Sequence, residues 1–213
     1  MSTRWPGHLV SMAVLAAALA AQPPLPRVTY TRTFPNSDPV YLKVVVARSG
    51  AAVYAAREHA GEPVMRFPFQ ASPRVVRAIF QEAAALGDFR GAKLQSKDNV
   101  AFTGNKTLEY DAAGVHAAQD FTFTTVPAAR SLTALFERIS ATGVYALRLQ
   151  RALAYQPLDV LGILDQIKVD WGLHQLAAPQ LLAPALRRLI ADPGQMQAAQ
   201  RRAQQLLSAM HQR

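Results

Sequence analysis

The chain has 213 residues, half of them hydrophobic and 17% charged, with 23 Lys and Arg against 14 Asp and Glu for a net charge of +9, and no cysteine. That much apolar content at this length builds a core and excludes a disordered body; the missing thiols exclude disulfides, thiolate nucleophiles and thiolate metal sites. The positive balance favours anionic partners such as acidic envelope polymers or phospholipid headgroups, but the Arg residues are spread along the whole chain, and nucleic acid is not an expected partner.

The first two dozen residues read as an export address. Arg4 is the only charged residue before an apolar run from Leu9 to Ala21, and Ala18-Leu19-Ala20 or Leu19-Ala20-Ala21 offers a small-residue cleavage site. A basic head, an apolar segment of roughly 7–15 residues and an A-x-A-like end compose a secretory signal peptide. The run falls short of the ~20 apolar residues of a membrane span, and no later stretch is long and apolar enough to be one. Residues 1–21 are therefore expected to be removed, leaving a soluble mature form with no transmembrane segment, periplasmic or secreted. Without a Cys after the cleavage site, no lipid anchor is expected there.

Pro23, Pro24 and Pro26 predict an extended leader over residues 22–39, although Val28 to Phe34 alternates well enough for a strand. Val40 to Ala47 is β-branched and aromatic, Ser49-Gly50 supplies a turn, and Ala52 to Ala55 returns as a hairpin. Pro63 to Phe69 adds a strand that Pro68 confines to a sheet edge. Ser72-Pro73 starts a helix with Ser at the N-cap and Pro at the first position. Val75, Val76, Ile79, Phe80, Ala83 and Leu86 form its apolar face, and Gly87 ends it. Strands resume at Asn99 to Phe102, turn at Gly104-Asn105 into Thr107 to Tyr110, and turn again at Ala113-Gly114 into Val115 to Thr125.

From Pro127 the pattern is helical. Leu132, Leu135, Phe136 and Ile139 form a stripe, Gly143 marks a bend or an end, and Val144, Leu147 and Leu153 resume it. Pro157 opens a helix carrying Val160, Leu161, Leu164, Ile167 and Trp171. Another spans about Ala183 to Ala191, and Asp192-Pro193-Gly194 caps the last. Strands followed by helices predict an α+β fold: an antiparallel sheet with two packed helices, followed by a C-terminal all-helical extension. The expected division is 1–21 signal peptide, 22–39 leader, 40–143 α+β domain and 144–213 helical subdomain.

Chemistry is sparse. Metal sites need several His, Asp or Glu side chains converging. His59, His116, His174 and His211 stand far apart, and Asp159, Asp165 and Asp170 do not line one helical face; no metal and no cofactor is expected. There is no Gly-x-Ser-x-Gly elbow and no phosphate-cradling glycine loop. Asn105-Lys106-Thr107 fits a glycosylation acceptor but reads more simply as a turn. Glu109 and Asp111, two apart on a strand, share a face and are the best pair for acid/base work; a solvated strand face is the plainer explanation. Trp171 and His174, three apart near a helix end, could line a ligand pocket, or serve as core and cap. Arg187, Arg188, Arg201 and Arg202 flank Asp192-Pro193 and could form an anion-binding patch if the last two helices pack antiparallel, or simply a solvated face.

The arrangement from Val40 to Ile139 resembles a domain of unknown function found in exported bacterial proteins and lipoproteins. The features that carry it are the opening hairpin (Tyr41 to Arg57), the helix from Ser72-Pro73 to Leu86-Gly87-Asp88-Phe89, the strands from Val100 to Thr124, and the helix over Leu132 to Ile139. Members often carry a paired-Cys segment before the first strand, and this chain does not. The resemblance implies export and α+β architecture and no particular activity. The leading expectation is a non-enzymatic binding or interaction module of the cell envelope, meeting an envelope protein; the alternatives are a hydrolase using Glu109 or Asp111 and a peripheral binder of anionic membrane or polymer.

Overall fold

The computed structural model describes residues 25–211, so the expected signal peptide lies outside the described residues. The fold is α+β. Six strands, β1 (Arg27–Thr33), β2 (Tyr41–Ala47), β3 (Ala51–Arg57), β4 (Met65–Gln70), β5 (Asn105–Ala112) and β6 (Val115–Phe121), form one antiparallel sheet in the order β4-β3-β2-β1-β5-β6. Two helices, α1 (Pro73–Ala85) and α2 (Pro127–Tyr155), pack on one face, and α3 (Val160–Gly172), α4 (Ala183–Ala191) and α5 (Gln197–His211) form the helical extension. No helix among the described residues is long and apolar enough to cross a membrane.

Alternation in the strands decides which face is covered. Val28 and Tyr30 of β1, Val44 and Val46 of β2, Tyr54 of β3 and Leu108 of β5 are fully buried beneath the helices. Ile79, Phe80 and Ala83 of α1 and Leu132, Leu135, Phe136 and Ile139 of α2 complete this core. Tyr30 stacks on Phe136 at 5.4 Å between ring centroids. Pro68 sits in β4, an edge strand, as its missing N–H requires. Ser72 Oγ accepts from the Val75 N–H at the start of α1, and Gly87 past its end has φ +63°.

Three details depart from the sequence reading. Residues 27–33, inside the expected leader, form β1, as the alternation from Val28 to Phe34 allowed, and it lies at the centre of the sheet between β2 and β5 with Val28 and Tyr30 at 0% exposure. The chain enters the sheet immediately after Pro26. No strand forms over Asn99 to Phe102; Val100 and Phe102 are exposed, and the Phe102 ring stands edge-on to Phe34. Gly104, at φ +92° and too close to Phe34 for a Cβ, swings the chain into β5, which starts at Asn105.

The third departure concerns Gly143. It does not end a helix: α2 runs through it for 29 residues. A Cβ there would stand 2.5 Å from the Tyr54 ring, so glycine is the residue that lets helix and sheet meet. The expected boundary at 143/144 therefore falls within a continuous helix. The N-terminal half of α2 belongs to the sheet core, while Ala146, Leu149 and Ala152 belong to a second core with α3, α4 and α5, and Phe67 packs against both.

Candidate functional site on the open sheet face

The side chains of the odd-numbered residues in β1, β2, β3 and β5 point away from the helices. The register aligns them in rows. Arg66, Ala55, Lys43, Thr31 and Thr107 form one row across five strands; Pro68, Val53, Val45, Thr29 and Glu109 form the next. Tyr41 pairs directly with Arg57. Two loops rise beside this face, residues 34–40 after β1 and 58–64 after β3. They are tied to each other by Val40 N–H donating to Glu58 O at 3.2 Å, and the first is closed by Phe34 N–H donating to Val40 O at 2.9 Å. Between the loops and the sheet lies a concavity of about 1340 Å³ with Val45, Val53 and Ala55 in its floor.

Three cations line that concavity: Lys43, Arg57 and Arg66. Ala55 lies between Lys43 and Arg66 in its row, so the two charges stand two strands apart, about 10 Å. Arg57 follows Ala55 by two residues on the same strand and face. None of the three forms an ion pair among the described residues. The Arg57 guanidinium lies 5.9 Å from the Tyr41 ring centroid, and its Nε is buried with no hydrogen-bond partner among the described residues. Asp38 is the single carboxylate in the lining. Burial pushes the Tyr41 phenol above its ordinary value, against the pull of Arg66.

Glu109 and Asp111 do share a strand face, as their spacing requires, and it is this open face. They do not oppose each other across a pocket, and neither lines the concavity. Asp111 is taken by His116 Nδ1 at 2.7 Å and by Arg27 at 3.9 Å. Asn105 is exposed at the start of β5, paired with Thr33, and is not part of a hairpin turn.

No family model matches this chain, and no curated protein matches it either.

Of the four arginines, Arg202 pairs with Asp165 of α3. Arg187 instead lines a shallow hollow with Leu207 and Met210, which none of the other three joins. Arg188 and Arg201 are exposed. The structure thus does not gather the four into one site. It does bring Trp171 and His174 together, in the wall of a cavity between α1, α2 and the segment after α3. Among the described residues no group of three or more His, Asp or Glu side chains could hold a metal ion.

One polar cluster escaped the sequence reading because its members lie on four separate segments. Under α2, Tyr30 donates to one carboxylate oxygen of Glu137, and Arg32 Nη1 donates to the other at 2.8 Å. Lys106 lies beside them; burial lowers its pKa, and Glu137 acts in the opposite direction. Its Nζ donates to Thr103 Oγ1 at 2.8 Å and to Thr122 O at 3.0 Å. Burial, and then the Glu137 charge, push the Tyr30 phenol far above its ordinary value. Both Glu137 oxygens are occupied and the phenol holds its proton, so the cluster braces α2 against the sheet and leaves no free base. Even-numbered polar residues interrupting a buried strand face were the signal that could have revealed it.

Proposed function

We propose that this chain is an exported, non-catalytic binding module of the cell envelope that receives an acidic polypeptide segment along the open face of its sheet. The observation that carries the reading is the group of three cations, Lys43, Arg57 and Arg66, around the Ala55 floor, none with an ion-pair partner among the described residues. The concavity exceeds the ~300–1,000 Å³ of small-molecule pockets and fits an extended segment better. Its floor of Val45 and Val53 suits apolar side chains alternating with carboxylates. The raised loops favour a peptide over a bilayer, since a flat membrane does not reach the floor of a walled groove. Asp111 is bound to His116 and Arg27, and Glu109 has no opposing acid, which supports a binding role over hydrolysis.

Calorimetric titration with an alternating Glu-Val decapeptide tests the proposal, with a Gln-Val decapeptide as control. The acidic peptide is expected to bind, more weakly as salt rises, and to lose at least about tenfold in affinity in the K43Q/R57Q/R66Q variant. Equal binding of both peptides, or full binding by the variant, overturns it. Binding to phosphatidylglycerol vesicles without binding to the peptide moves the partner to the membrane. Export is tested separately: an intact Met1 terminus on protein recovered from cytosol overturns that part.

A further inference from the structure

The cavity that holds Trp171 and His174 lies on the other side of the molecule's sheet from the groove, at the junction of the two cores. Its volume is about 410 Å³, within the range of small-ligand pockets. Arg74, in the first turn of α1, and Arg138, on α2, stand at its wall with His174, while Trp171, Leu135 and Met210 supply apolar surface. Among the described residues no carboxylate lines it. Neither arginine forms an ion pair among the described residues. The nearest acid in sequence to Arg138 is Glu137, and its carboxylate faces the sheet, held by Tyr30 and Arg32.

The local backbone holds this wall in place. The Gln175 N–H donates to Asp170 O at 2.9 Å and the His174 N–H to Trp171 O at 3.2 Å, a Schellman closure of α3. The residue in the left-handed position of that motif is usually glycine; here it is His174, with φ +59°. Three residues on, the Ala177 N–H donates to Thr142 Oγ1 at 3.2 Å, fastening the segment to α2. Arginine on two helices, an aromatic plane and a rigid third wall are what a small anion with an apolar body needs.

We propose that this cavity binds a small amphipathic carboxylate, its head between Arg74 and Arg138 and its body against Trp171. The inference does not depend on the reading of the open sheet face.

The probe is 3-phenylpropionate, with 3-phenylpropionamide as the uncharged counterpart. The chain has two tryptophans, so Trp5→Phe leaves Trp171 as the only indole reporter. Saturable quenching by the carboxylate is expected, with the amide at least about tenfold weaker because it forfeits the charge-assisted contacts. Arg74→Gln with Arg138→Gln should abolish saturation; both positions are exposed, and far-UV circular dichroism checks the fold. The K43Q/R57Q/R66Q variant should bind as the parent does. Ligand-detected NMR on the unsubstituted chain gives a readout independent of fluorescence. No saturable binding by either method, equal affinity for the amide, or undiminished binding in the double arginine variant overturns the proposal.

Discussion

Gly143 of α2 touches the ring of Tyr54 so closely that a Cβ in its place would sit 2.5 Å from the aromatic carbons. Tyr54 is fully buried and leans on Phe67 at 6.1 Å, so its ring has little room to retreat. Gly143→Ala gains up to ~1 kcal/mol of helix propensity but forces an overpacked contact costing ~1–3 kcal/mol. Net destabilisation of up to about 2 kcal/mol is expected, read from the urea midpoint. Tyr54→Phe should cost nothing by the same measurement, because the Tyr54 hydroxyl is buried with no hydrogen-bond partner among the described residues.

The brace under α2 gives a second expectation. Glu137→Ala removes the counter-charge of Arg32 and the acceptor of Tyr30. A fully buried pair would lose ~3–5 kcal/mol. The Glu137 side chain is still 32% exposed, so solvent screens part of the interaction and about 1–2 kcal/mol is expected. Tyr30→Phe with Glu137→Ala should cost less than the sum of the two single changes, which a double-mutant cycle in urea measures.

Stability should fall in alkali. Burial pushes the phenols of Tyr30 and Tyr54 far above their ordinary value near 10. The folded chain therefore keeps the protons of these two phenols where the unfolded chain loses them, once the pH passes 10. The stabilisation is fully present below pH 10 and declines as the pH climbs toward the folded values, by about 1.4 kcal/mol per unit for each phenol. Denaturation midpoints measured from pH 8 to 11.5 should show this slope, to which the raised phenols of Tyr41 and Tyr145 add, and Tyr54→Phe should remove about 1.4 kcal/mol per unit of it. Tyrosinate absorbance of the folded chain with every phenol titrating near pH 10 would contradict the expectation.

His174→Gly should relieve about 0.5–1 kcal/mol of backbone strain, because glycine takes the left-handed position after α3 freely, and the net gain is smaller by the interaction that the His174 side chain makes. Thermal melts of the two chains measure it. A gain in stability accompanied by weaker 3-phenylpropionate quenching would mark His174 as a residue retained for the cavity.

Much of the fold was legible because local signals agreed with tertiary placement. Ser72-Pro73, Gly87, the Ser49-Gly50 turn and the Ala183 to Ala191 helix all carry their instructions within a few residues. Gly143 misled because the reason for it, the Tyr54 ring, lies on β3 and not on its own helix. The strand over Val28 to Phe34 was legible in its alternation, but the prolines at residues 23–26 carried the expected leader past it, and its central place in the sheet depends on β5 arriving from far along the chain. The open-face cations were invisible for the same reason: Lys43, Arg57 and Arg66 meet only through strand register. Glu109 and Asp111 were correctly placed on one face, but strand spacing alone could not show that His116 and Arg27 claim Asp111.

The position of β1 has a consequence for how this molecule comes into being. It is the earliest described strand to be synthesised, yet one of its two flanks is completed only by β5, roughly 70 residues later. Until then the nascent hairpin side of the sheet presents a raw edge at its centre. A chain that emerges through a narrow passage amino end first must wait, half-assembled, for its middle to be closed, so chaperone dependence should concentrate in that interval.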